Sequence, residues 1–276
     1  MKRRSGYRIV PYFILIIVCL YNIVPFVWMF STSLKTEKEA YKIPPTFLPK
    51  EPTLESYDQI IVWTSFPRYF LNSTIISLGT ALLSTFIGAL AGYGFSRFHF
   101  SGRATLIGFI LASQMLPGVL LVGPYFKMLV KIGLYNTYPG LIFAFTTITL
   151  PFSTWMLKGF IDTVPEELDQ AAKVDGCSTL GAFLRIILPV IAPGMVATMI
   201  FAFLLAWGDL LWVLVLTSGD AMATVTLGLS RLVTQFRIIW PQLMAGSVIA
   251  TLPPLVLYML LQNSLVKGLT AGAVKE

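Results

Sequence analysis

Charge is what this chain has least of. Asp, Glu, Lys and Arg make up 12% of its 276 residues, and a soluble domain carries about twice that fraction to keep its surface wet. So few charges cannot coat a globule of this size. Histidine occurs once, as His99, and cysteine twice, as Cys19 inside an apolar run and Cys177 in a polar loop. A zinc or haem site would have almost no ligands, and two thiols at different depths imply no disulfide. The phosphate-cradling GxxxxGKS/T is missing, as are HExxH and GxSxG, so the chain has no loop for ATP phosphates and none of the common zinc or serine-hydrolase patterns. No catalytic residue, metal or cofactor is expected in this chain.

What is present is apolar sequence, at 56% of residues. A membrane-crossing helix needs about 20 mostly apolar residues. Six runs meet that requirement, over roughly 10–30, 70–95, 104–126, 141–160, 193–216 and 244–266. The sequence therefore predicts an all-α integral membrane protein of six transmembrane helices. It is one membrane domain over 1–276, with a core over about 70–266. The net charge of +7 belongs to loops that anchor on the lipid bilayer, not to a nucleic-acid surface. Lys2, Arg3, Arg4 and Arg8 precede the first run and set its N-terminus inside; an even number of spans then brings Lys267 and Lys275 inside as well. Both termini are expected to be cytoplasmic.

Within the spans, ionisable residues are nearly absent. Asp209 stands alone in Ala206-Trp207-Gly208-Asp209-Leu210-Leu211-Trp212, and one carboxylate cannot make a proton relay. Prolines fall within or at the ends of the runs at Pro25, Pro117, Pro124, Pro151, Pro253 and Pro254. Each removes a backbone hydrogen bond and bends its helix. Gly88 and Gly92 form a GxxxG that permits close helix contact. The pattern suits a bundle that moves.

The densest polar feature is the stretch 162–189, expected in the cytoplasm, which holds five of the 13 acidic residues. Thr163 and Glu166 have capping-box spacing, and Glu166, Glu167 and Asp169 load the first turn of a helix. Leu168, Ala171, Ala172 and Asp175 recur on one face, and Gly176 stands where a left-handed C-cap is wanted. Ser178 can cap a second, apolar helix carrying Leu180, Phe183, Leu184 and Ile187 until Leu188-Pro189 stops it. A short helix with a flush Ala-Ala face suits docking into the groove of another protein.

This loop resembles the EAA motif of ABC-transporter permeases, in which EAA is followed after three residues by Gly and then by Ile-x-Leu-Pro. Ala171, Ala172, Gly176, Ile186, Leu188 and Pro189 match at the required spacing, with Asp175 before the glycine. The motif's Glu is Gln170 here, a departure for which Glu166, Glu167 or Asp169 could substitute. Residues 91–98 (AGYGFSRF), 133–137 (GLYNT) and 268–275 (GLTAGAVK) are similar to the G-subunit branch of carbohydrate-importer permeases. That resemblance implies the type I importer permease fold and a bacterial or archaeal inner cell membrane. It also implies a second homologous permease subunit, two ATPase subunits carrying ATP and Mg, and an extracytoplasmic sugar-binding protein.

Two further groups carry function-specific readings. Trp207, Asp209 and Trp212 could line a sugar path, with aromatic faces on sugar rings and a carboxylate accepting hydroxyls; the simpler reading is interfacial Trp and a wet helix end. Pro117-Gly118 and Pro253-Pro254 are candidate gates or hinges. The reading is therefore a permease subunit of an ATP-driven sugar importer. Its rivals are a secondary transporter or channel working without an ATPase, and an ABC permease for a different solute.

Overall fold

A computed structural model describes residues 6–234 and 237–271 of the chain. Lys2, Arg3 and Arg4 of the basic cluster and residues 272–275 of the tail segment lie outside the described residues. Among the described residues the regular structure is helical, with one isolated β-bridge between Val233 and Ile238. In chain order the helices are α1 (Gly6–Ser33), α2 (Glu37–Ala40), α3 (Glu55–Trp63), α4 (Phe66–Arg97), α5 (Arg103–Ser113), α6 (Gly118–Lys131) and α7 (Tyr138–Asp162). They continue with α8 (Glu167–Val174), α9 (Thr179–Ala182), a π-helical turn (Phe183–Ile187), α10 (Leu188–Val190), α11 (Ala192–Gly208), α12 (Leu211–Leu216), α13 (Val225–Ser230) and α14 (Trp240–Ala271).

Four helical segments are long and apolar enough to cross a membrane: Pro11–Ser33 within α1, α4, α7 and Trp240–Gln262 within α14. The third and fifth expected spans are each broken. Helices α5 and α6 meet at 97°, and Thr179–Val190 meets α11 at 80°, so counting each bent pair as one span gives up to six. The first break has a local cause. Pro117 disfavours helical geometry at Leu116, and its own backbone (ψ 122°) is already extended, so α6 begins afresh at Gly118. The residues before it close in tighter turns, Gln114 N–H donating to Leu111 and Met115 N–H to Ala112.

The second break lies two residues beyond Pro189 and two before Pro193. Pro189 has no N–H to donate, and the turn just before it widens so that Leu188 N–H reaches back to Phe183 O. Leu188-Pro189 does not stop the helix, as the sequence suggested. Helical geometry continues through Val190 and bends only at Ile191 (ψ 6°). At Pro253-Pro254 no break occurs, and α14 runs unbroken across the pair.

The chain groups into two compact units. In the unit formed by residues 1–67 and 228–252, the hydroxyls of Ser33 and Tyr57 hydrogen-bond at 2.7 Å, Gln242 bonds Gln59, and Arg237 pairs with Glu37 at 2.6 Å. In the unit formed by residues 68–227 and 253–276, α4 and α7 lie in close contact along the GxxxG. A Cβ on Gly92 would stand 2.8 Å from Lys158 N, and one on Gly88 2.8 Å from Ser153 Cβ. Only a missing side chain permits that approach, which is how the sequence reads Gly88 and Gly92. Toward the α8 end, Ala89, Tyr93, Leu157, Ile161, Val164, Phe183, Ile187 and Ile191 form one buried apolar cluster. Near the opposite end of α4, Asn72 donates to the carbonyls of Ala221 and Ala223 at 3.1 and 2.8 Å and accepts from Tyr138 Oη.

Candidate coupling site

The 162–189 segment begins with a correction. Thr163 does not cap α8; its hydroxyl turns back to Phe160 O at 2.7 Å and closes the end of α7. Glu166 is the N-terminal flanking residue, in helical geometry with no side-chain cap. Instead α8 starts through a tight turn in which Leu168 N–H donates to Pro165 O and Asp169 N–H to Glu166 O. Glu167 and Asp169 remain in its first turn, where their charge suits the helix dipole.

The other end forms as its residue types dictate. Gly176 takes φ +84°, a left-handed conformation that costs a non-glycine residue about 1–2 kcal/mol. That turn lets Cys177 N–H reach Ala172 O at 2.9 Å and Gly176 N–H reach Lys173 O at 3.1 Å, the paired bonds of a Schellman cap. Ser178 then accepts from Gly181 N–H at 3.1 Å and caps α9.

Burial divides α8 into two faces. Asp169 and Ala172 are 6% and 2% exposed and turn inward. Glu166, Glu167, Leu168, Gln170, Ala171, Lys173, Val174, Asp175 and Gly176 face outward. The expected stripe of Leu168, Ala171, Ala172 and Asp175 is therefore split, with the two alanines on opposite sides. Of the remaining motif residues, Ile186 and Leu188 are half-buried, both packed on the apolar cluster, and Pro189 is exposed.

The inward face meets a polar group from α4. Arg97 Nε donates to Asp169 Oδ2 at 2.7 Å, with both side chains under 10% exposed, and Arg97 Nη2 donates to Val164 O at 2.7 Å. Tyr93 Oη donates to Asp169 Oδ1 at 2.6 Å. Beside them Ser96 Oγ donates to Asp162 Oδ1 at 2.7 Å, and Lys158 Nζ bonds Asp162 Oδ2. Residue spacing alone does not reveal Arg97 and Tyr93 as part of this site. The available signal is their i,i+4 separation, which sets both on one face at the end of α4.

Trp207, Asp209 and Trp212 are placed at the break between α11 and α12. Trp207 is 5% exposed, stacked on Phe203 (5.4 Å between centroids) and edge-on to Phe70 (5.5 Å). Trp212 packs edge-on against Tyr125 at 5.0 Å, and its Nε1 lies 3.5 Å from where a Cβ on Gly118 would stand. Asp209 Oδ1 accepts from Trp212 N–H at 2.8 Å and so opens α12, while Asp209 O accepts from Thr226 Oγ1. Both indoles pack against aromatic rings, and the carboxylate accepts from the amide that opens α12. The structure brings Gly118 and Trp212 together and leaves Pro253-Pro254 within a continuous helix.

Several apolar helices of membrane-crossing length, with a short amphipathic helix between two of them, define a multi-pass membrane protein. The chain belongs to the family of binding-protein-dependent transport system inner membrane components, whose model matches residues 84–271. It is 36% identical over 276 residues to the inner membrane ABC transporter permease protein YcjP of Escherichia coli K12, covering 99% of each chain. It is 36% identical over 267 residues to the trehalose/maltose transport system permease protein MalG of Thermococcus litoralis, covering 94% of this chain and 92% of that one. Its fold matches a bacterial ABC transporter involved in importing the polysaccharide alginate, with a TM-score of 0.81 at 17% identity over 95% of this chain and 98% of the other. This chain is accordingly a multi-pass permease of the cell membrane.

Proposed function

We propose that this chain forms the translocation path of a sugar importer and that α8 is its handle for separate ATPase subunits. The carrying observation is the outward face of α8: Leu168, Ala171 and Val174 exposed beside Glu166, Glu167 and Asp175, with Lys173 as its one cation, on a helix capped by Gly176. An exposed apolar stripe flanked by carboxylates suits an apolar groove with a basic rim on a soluble partner. The family supports a binding-protein partner, and the trehalose/maltose relative supports carbohydrate as cargo. A second homologous permease would complete the membrane part. ATP and Mg would be held by the ATPase subunits, since this chain has no P-loop.

The mechanism follows from what α8 touches. ATP binding would close the ATPases and move α8 with them. The Schellman turn passes that displacement to α9 and the π-helical turn, whose buried Phe183 and Ile187 sit in the cluster with Leu157 and Ile161. The displacement then reaches α11 across the 80° bend at Ile191. Coupling requires that the docked α8 discriminate inward-facing from outward-facing states, because a ligand shifts an equilibrium only by its differential affinity. Ala171→Lys and Gly176→Asp test the docking role. Both are expected to abolish ATP-driven sugar uptake and co-purification of the ATPases. If both activities survive in both variants, docking through α8 is wrong.

A further inference from the structure

We infer that Arg97, at the end of α4, is the positioning residue of the coupling helix: it fixes the inward face of α8 and thereby aims the outward face at the ATPase. This rests on the docking reading above and goes beyond it by naming what orients the docked element.

Three observations carry it. First, Arg97 is forked across two separate parts of the segment, Nε on the Asp169 carboxylate within α8 and Nη2 on the Val164 carbonyl in the connection before it. A planar guanidinium making two directed bonds fixes orientation as well as distance, which an ammonium on a flexible stem does not. Second, the pair is under 10% exposed on both sides, and Tyr93 Oη occupies the other carboxylate oxygen. A buried ion pair with its oxygens taken up has few alternative arrangements, and removing one partner strands a charge. Third, the pair lies against the apolar cluster: Tyr93 itself packs on Phe183 at 5.0 Å, so α4, α8 and the π-helical turn share one contact region.

A consequence concerns Gln170. Asp169 beside it is turned inward and engaged by Arg97, so it does not supply the missing charge of the motif's Glu. The acidic groups left for a partner are Glu166, Glu167 and Asp175, all exposed.

The test uses the assembled transporter with Cys19→Ser, a spin label on the native Cys177 just after α8, and a second label at His99→Cys, two residues beyond Arg97 and exposed. The interlabel distance is read by EPR without nucleotide and after trapping with ATP, Mg and vanadate. The expected result with Arg97 intact is a narrow distribution whose mean shifts by less than about 2 Å on trapping, well short of a one-turn slide of one element past another. Arg97→Ala and Arg97→Lys are expected to broaden it. A larger shift on trapping with Arg97 intact overturns the role, and this reading needs no substitution at Arg97. A distribution in Arg97→Lys indistinguishable from that of Arg97 also overturns it. Failure of the wild-type complex to hold any ATPase would overturn the docking reading itself, an outcome distinct from either.

Discussion

At the scale of single residues, two neighbours in α8 have opposite duties. Ala171 is exposed and Ala172 is 2% exposed, although the sequence pairs them as one motif element. Ala171→Lys should leave thermal stability within about 0.5 kcal/mol, as exposed substitutions do, while removing the ATPases. Ala172→Leu overfills a closed site and should cost about 1–3 kcal/mol, seen as a lower melting temperature in detergent. Glu39 gives a pH prediction. It is 5% exposed and accepts from Thr46 Oγ1 at 2.8 Å and Lys50 N–H at 3.0 Å. Burial pushes its carboxyl up, but those bonds and the Lys35 ammonium outweigh burial and hold it below its ordinary 4.5. A carboxyl lowered on folding contributes stability that is fully present above its ordinary value and is lost as pH falls through the lowered one. Hydrogen-exchange protection of residues 36–50 is therefore expected to hold constant above pH 4.5 and to fall below it. In Glu39→Gln that acid-dependent fall should vanish.

At the scale of elements, the α4–α7 pair depends on two missing side chains. Gly92→Val would drive a Cβ to 2.8 Å from the Lys158 backbone nitrogen, and backbone cannot rotate aside. The helices must part, and the cost is expected to exceed about 2 kcal/mol, comparable with other overpacked cores. Gly94→Ala is the matched control: a Cβ there meets nothing within 4 Å, so stability should not fall. Comparing the two by thermal unfolding in detergent separates close approach from any general need for glycine. Element ends were legible where a short-range device makes them. Gly176 and Ser178 cap as their residue types require, because a left-handed turn and a hydroxyl cap each act within a few residues. The Thr163–Glu166 box was not realised. A hydroxyl that can close the preceding helix competes with capping the next one.

At the scale of the whole molecule, the basic N-terminal cluster sets an expected orientation that makes a direct prediction. If the segment 162–189 is cytoplasmic, Cys177, which is partly exposed, should react with a membrane-impermeant maleimide in inside-out vesicles and not in right-side-out ones. Reaction from the opposite side would invert the topology. That the chain crosses a membrane several times was legible from run length, since about 20 apolar residues cross a bilayer whatever they pack against. The geometry of those spans was not. Pro117 and Pro253-Pro254 look equivalent in sequence, yet α5 and α6 meet at 97° and α14 runs unbroken.

By itself the sequence determined that this chain crosses a membrane, carries no P-loop pattern, and holds a short helix closed by Gly176 in the polar 162–189 segment. These follow from composition and from interactions a few residues apart. Only the tertiary structure decided that Asp169 and Ala172 face inward, that Arg97 and Tyr93 hold Asp169, and that Trp207 and Trp212 pack against aromatic rings. Those outcomes join residues more than 70 positions apart, as Arg97 and Asp169 are. Which face of a helix is buried depends on what the rest of the chain brings against it, and no local pattern carries that information.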